Sequence, residues 1–145
     1  MPELIIFVGM QGAGKSTYYR AHLAATHVHV SKDLMPNARN RDAKQDEMIT
    51  AALSAGQSVA VDNTNPTPAV RVPLIDLGKS LGARVAAYYF ETPVKLAVAR
   101  NRGREGKARV PDVAIFVTAK KLVPPSLDEG FDEVRVIAPP PEPTP

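Results

Sequence analysis

The chain has 145 residues, 44% of them hydrophobic and 23% charged, and its 18 basic and 15 acidic residues leave a formal net charge of +3. That composition belongs to an ordinary globular protein with length enough for one substantial core, and it excludes fibrous and membrane-spanning classes. The lack of cysteine excludes disulfides and thiolate metal centres and fits a reducing, cytoplasmic setting, and no basic-then-apolar signal segment opens the chain.

In chain order, Leu4-Ile5-Ile6-Phe7-Val8 is continuously apolar, the pattern of a central parallel strand covered on both faces. It leads into Gly9-Met10-Gln11-Gly12-Ala13-Gly14-Lys15-Ser16, which fills every fixed position of the phosphate-binding pattern Gly-x-x-x-x-Gly-Lys-Ser/Thr, and a helix is expected over 17–25. The glycines let the backbone wrap a polyphosphate, and the unpaired N–H groups of the helix's first turn point at the anion. Gly9, Gln11, Gly12, Ala13, Gly14, Lys15, Ser16 and Thr17 are therefore the candidate ATP-binding residues. Lys15 is placed to reach the β- and γ-phosphates and Ser16 to hold Mg²⁺. A simple glycine turn would need no Lys-Ser pair.

A short strand over 27–30 follows, on which His27 and His29 share one face; exposed strand positions are the favoured interpretation over a metal site, which would want a third ligand. Asp33 falls just past the carboxyl end of that strand, the edge of an open α/β sheet where ligands sit. After a loop over 34–41, Asp42 is expected to cap a helix with Met48, Ala51, Ala52 and Ala55 at helical spacing and Gly56 closing it. Ser58-Val59-Ala60-Val61 is a third strand and runs straight into Asp62-Asn63-Thr64-Asn65-Pro66. A carboxylate there, downstream of a phosphate loop, is placed to hold Mg²⁺ or its water.

Thr67 and Pro68 look like the cap and first residue of another helix with Val70, Leu74, Leu77 and Leu81 along its apolar stripe. Pro73 predicts a kink or a start near Val72, since an interior proline costs about 3 kcal/mol. A fourth strand spans 85–90, and Thr92-Pro93 opens a helix that carries Leu96, Val98 and Ala99 into a basic run, Lys95, Arg100, Arg102, Arg104, Lys107 and Arg109 against the single acid Glu105. Gly103 and Gly106 predict a mobile flap over 102–109. A helix over 111–122 and a strand over 131–137 complete the pattern, and the tail 138–145, with five prolines, is expected to be disordered and outside a single domain of 1–137. Strands alternating with helices at this spacing predict a three-layer α/β domain with a mostly parallel sheet.

The order Gly9 to Thr17, Ser31-Lys32-Asp33, Val61-Asp62-Asn63-Thr64-Asn65-Pro66, Arg100-Asn101-Arg102-Gly103-Arg104 with Val110-Pro111, and Pro125 with Glu129-Gly130-Phe131 resembles the kinase domain of polynucleotide 5′-hydroxyl kinases up to about Val136. The phosphate loop is widely shared; the Asp-Asn-Thr-Asn-Pro and Glu-Gly-Phe segments are narrower signals. The resemblance implies a P-loop kinase fold with a basic lid, ATP and Mg²⁺ as cofactors, and a nucleic-acid 5′ end as acceptor. It also implies Asp33 as the general base and Arg104 and Arg100 as lid arginines stabilising the transferring phosphoryl group, with Lys15 catalytic and Ser16 and Asp62 at the metal. The chain departs from the family where an arginine follows the catalytic aspartate: Pro36 stands in that region, and Arg39 and Arg41 come only later. Two other functions remain open on the same scaffold. One is a kinase of sugars, nucleosides or antibiotics, and the other is a nucleotide-binding switch with no transfer chemistry.

Overall fold

The computed structural model describes residues 1–35, 39–106 and 109–138. Its strands are β1 (Glu3–Val8), β2 (His27–Val30), β3 (Ser58–Val61), β4 (Arg84–Phe90) and β5 (Glu133–Ile137), all paired in parallel in the order β2-β3-β1-β4-β5. Parallel neighbours need crossovers, supplied here by α1 (Lys15–Tyr18, passing into a π-helical turn, Tyr19–Leu23), α2 (Arg41–Ser54), α3 (Pro68–Ser80) and the pair α4 (Val94–Arg102) and α5 (Asp112–Lys121). Among the described residues, no helix is long and apolar enough to cross a membrane.

The unbroken apolar run of β1 is explained by its place at the centre of the sheet, where Leu4 to Val8 have no exposed surface. Leu4, Ile6 and Val8 pack on one face with Ile49 and Leu53 of α2, Leu74 and Ile75 of α3, and Phe131. Ile5 and Phe7 pack on the other with Tyr19, Leu23, Tyr88 and Phe90. Each such side chain contributes roughly 1.5–3 kcal/mol by leaving water. A third, smaller cluster joins Met10 of the glycine-rich loop to Ala97 of α4 and Ile115 of α5, so the basic helix is packed directly against that loop.

Several local expectations are corrected. The cap of α2 is Asn40, whose Oδ1 accepts from the Ala43 N–H at 3.0 Å; Asp42 lies inside the first turn and pairs with Lys32. The buried face of α2 is Gln45, Ile49, Ala52 and Leu53, displaced by about one residue from the expected alanine stripe. Helix α3 begins at Pro68 under a Thr67 cap, as the sequence indicates, and carries Pro73 in its second turn. Pro73 and Ala69, whose carbonyl it cannot serve, are both exposed, so water can take that bond. The helix after the loop is α-helical only to Tyr18, and β5 begins two residues later than expected. Residues 139–145, most of the proline-rich tail, lie outside the described residues, as do Lys107 and Ala108 of the expected flap.

Candidate active site

The loop between β1 and α1 closes around Lys15. Its Nζ donates to the Gly9 and Met10 carbonyls at 2.9 and 2.7 Å, and burial pushes the ammonium down to about 8. Asp62 and Asp33 pull that value back up while Arg104 lowers it further, so three separate segments bring charge within electrostatic reach of one lysine. Gly12 has φ +82°, and a Cβ there would sit 2.5 Å from the Ala97 carbonyl oxygen. Only glycine fits that contact, which seats α4 on the loop. Gly14 caps α1 with φ 91°, and the Gln11 Oε1 is buried in the same loop without a hydrogen-bond partner among the described residues.

Asp62 stands at the end of β3, its N–H donating to the Val30 carbonyl at 2.8 Å. Its Oδ2 accepts from the Ser16 hydroxyl at 2.7 Å and lies 2.8 Å from His29 Nε2, which therefore donates to it. Burial alone would raise the Asp62 carboxyl, but the His29 and Ser16 hydrogen bonds and the Lys15 charge outweigh it and hold the group below the usual carboxylate range. The sequence places Ser16 and Asp62 in one site, and the fold brings them into contact. A serine hydroxyl beside an ionised carboxylate is a hard-oxygen set of the kind Mg²⁺ takes when it keeps most of its water.

The histidines are not the exposed strand positions expected. The His27 and His29 side chains are only 11% and 22% exposed, and each meets a carboxylate, Glu3 at 3.1 Å and Asp62 at 2.8 Å. Among the described residues, no group of three or more histidine or acidic side chains is arranged to hold a metal ion.

Asp33 is exposed in a 3₁₀ turn, Lys32–Leu34, just beyond β2. The turn's cap is Ser31, whose Oγ accepts from the Asp33 N–H at 3.3 Å, so the Asp33 carboxylate is not consumed as a cap. Asn63 steadies the turn, accepting from the Lys32 N–H at 2.9 Å while donating to Gln45 Oε1 at 2.7 Å. Arg41 reaches the Lys32 carbonyl at 3.4 Å, and Arg39 is exposed nearby in the chain.

Arg100, one turn after Ala97, brings Nη1 to 3.5 Å from the Gly12 carbonyl. Arg100 and Arg104 line a cleft of about 590 Å³ with Ala13, Gly14, Thr17, Tyr18, His22, Phe90 and Ile137, within the size range of small-molecule sites. The base of the segment after α4 is clasped by buried Asn101, which donates to the Val110 carbonyl at 2.6 Å and accepts from the Val110 N–H at 2.9 Å. Arg102 is engaged by Asp112 at 3.1 Å, whereas Arg109 is exposed.

One part of the site has no sequence expectation behind it. Arg71 of α3 has no exposed surface; its Nε and Nη2 donate to the two Glu129 oxygens at 2.8 and 3.1 Å, and its Nη1 to the Asn65 and Val123 carbonyls at 3.0 and 2.9 Å. Asn65, at φ 41°, donates to the Phe7 carbonyl, and the Thr64 carbonyl accepts the Gly9 N–H at 3.0 Å. This knot fixes the segment carrying Asp62 and Asn63 against the start of the phosphate loop. The signal available was an arginine in helical register with Leu74, Ile75 and Gly78, the buried side of α3.

A phosphate loop leaving the central strand of an all-parallel sheet, with the neighbouring strand's carboxylate on its serine, defines a P-loop protein with the fold of the P-loop kinases. Its family is the one described as AAA domain (AAA_33), whose model matches residues 4–122 of this chain; the chain belongs to that family. Two curated relatives are similar over 93% of it and are 31% and 24% identical. They are a putative bifunctional polynucleotide phosphatase/kinase of Acanthamoeba polyphaga mimivirus and a bifunctional polynucleotide phosphatase/kinase of Schizosaccharomyces pombe. The chain spans about a third of the length of each, 33% in both cases. Among solved structures, a sugar kinase from Janibacter sp. HTCC2649 is 16% identical with a TM-score of 0.71, over 95% of this chain and 86% of that one, a likeness of fold.

Proposed function

We propose that this domain is an ATP-dependent kinase that transfers the γ-phosphate to the 5′-hydroxyl of a polynucleotide. The observation that carries the proposal is the Ser16 hydroxyl held on the Asp62 carboxylate at 2.7 Å beside the buried Lys15 of the phosphate loop, with the exposed Asp33 just past the end of the neighbouring strand β2. The similarity to relatives named polynucleotide phosphatase/kinase over nearly the whole chain supports the choice of acceptor.

The chemistry follows from the charges. Lys15 and the loop N–H groups hold the β- and γ-phosphates. Asp33 accepts the proton of the acceptor hydroxyl as its oxygen attacks the γ-phosphorus, the bond to the β–γ bridging oxygen breaks, and ADP leaves. Arg104 and Arg100, beside the loop, stabilise the charge spread over the transferring group. Ser16 and Asp62 would hold Mg²⁺, which when bound neutralises phosphate charge. The apolar and aromatic cleft beside Thr17 and Tyr18 suits the nucleotide's base, and a cysteine-free chain suits the cytoplasm where ATP is found.

The test is incubation with γ-labelled ATP and a panel of 5′-hydroxyl DNA and RNA, nucleosides and sugars. Oligonucleotides should be labelled, with acceptor affinity falling as salt rises, because Arg39, Arg41, Arg104 and Arg109 would release counterions from a polyanion. Labelling of a small alcohol but no oligonucleotide would make it a small-molecule kinase, and no labelling at all would favour the switch.

A further inference from the structure

We propose that His29 is a positioning residue for Asp62, fixing the direction in which that carboxylate faces the Mg²⁺ accompanying the nucleotide. The proposal rests on the assignment of Ser16 and Asp62 to the cation site. Strand β2 holds Asp62 twice: the Val30 carbonyl accepts its backbone N–H at 2.8 Å, and His29 Nε2, one residue earlier, meets its Oδ2 at 2.8 Å.

The imidazole is itself fixed. It stacks on the Tyr19 ring at 4.0 Å between centroids and 17° between planes, and the Tyr19 hydroxyl donates to the His27 carbonyl at 2.6 Å. The other donor to Oδ2, the Ser16 hydroxyl, has one proton on a freely rotating bond and is the oxygen assigned to the cation. A donor held by stacking sets a direction that a rotating hydroxyl alone does not. Hydrogen-bond partners of this kind behind a ligating carboxylate orient it and are worth roughly 10- to 100-fold in metal affinity.

Two substitutions separate orientation from packing. His29→Phe keeps the stack on Tyr19 and removes the donor; His29→Gln keeps an N–H at similar reach and loses the stack. Mn²⁺ binding to the full chain with a nonhydrolysable ATP analogue, read by electron paramagnetic resonance against a nucleotide-only control, gives cation affinity without turnover. His29→Phe is expected to weaken Mn²⁺ binding by about 10-fold or more with metal-free nucleotide affinity unchanged. His29→Leu, which also lacks a donor, should match it, and His29→Gln, with a donor but no stack, should restore part of the loss. Wild-type affinity in both donor-less variants, or a Gln variant at least as weak as Phe, would overturn the proposal. Ser16→Ala and Asp62→Asn run alongside. If they weaken Mn²⁺ binding while His29→Phe does not, the role of His29 alone fails; if neither does, the cation site itself is misassigned.

Discussion

Glu129→Leu would leave the Arg71 guanidinium, which has no exposed surface, facing two carbonyl oxygens and no carboxylate among the described residues. Breaking one half of a buried, fully hydrogen-bonded ion pair costs about 3–5 kcal/mol, because the remaining charge is neither solvated nor paired. A domain of this size has roughly 5–15 kcal/mol in all, so the loss is a large share of its stability. At about 2–4 °C per kcal/mol for such a length, the thermal midpoint should fall by about 10 °C. Replacing both partners, Arg71→Met with Glu129→Leu, should recover most of the loss, since apolar residues of similar volume often substitute for a buried pair. Denaturant unfolding of the wild type, both single variants and the double variant measures the coupling directly. A cost below about 1 kcal/mol for Glu129→Leu, the size of an exposed pair, would refute the reasoning, as would a double variant no more stable than the single. The same knot bears on binding: in Arg71→Met the Asn65 carbonyl loses its donor, the segment carrying Asp62 loosens against Gly9, and ATP affinity should fall.

Two further outcomes follow from the phosphate loop. The Lys15 ammonium, about 8 when folded against 10.5 when free, is depressed by burial, so between those values the unfolded chain binds more protons and Lys15 adds stability as pH rises. Across that window the wild type should gain on the order of 3 kcal/mol relative to Lys15→Met, read from unfolding midpoints at pH 7.5 and 10.5; a flat difference would contradict the burial argument. In Gly12→Ala, a Cβ 2.5 Å from the Ala97 carbonyl at φ +82° should push α4 and Arg100 off the loop. A displacement of that order can cost about 100-fold in turnover, and unchanged kinetics would show that α4 does not need its seat there.

The parts legible in the sequence are those encoded locally. The phosphate loop is a contiguous pattern, β2 and β3 have the bounds their apolar runs indicate, and Thr67-Pro68 opens α3 where a cap and a first-turn proline should. Asp62 and Asp33 could be placed because a strand end is a position in the fold as well as in the chain. What escaped depends on contacts between distant segments. Arg71 and Glu129 are 58 residues apart, and an arginine in helical register reads as solvent-facing unless its partner is known. His29 alternates with valines and looks exposed, but the Tyr19 ring stacks on it and Asp62 meets its edge, neither of which the period-two pattern contains. Asn40 and Asp42 are both good caps, and only the hydrogen bond to Ala43 decides between them.

The central claim is that Asp33 takes the proton from an acceptor hydroxyl beside phosphates held at Lys15. It is tested most directly by single-turnover transfer from ATP to a 5′-hydroxyl oligonucleotide in wild type and Asp33→Asn, with ATP affinity measured on the same samples. A neutral carboxamide cannot accept the proton, so transfer should slow by roughly 100- to 10,000-fold, the usual worth of a general base, while ATP affinity stays near that of the wild type because Asp33 lies outside the phosphate loop. Transfer at the wild-type rate in Asp33→Asn, or a loss accounted for entirely by weaker ATP binding, would contradict the role given to Asp33.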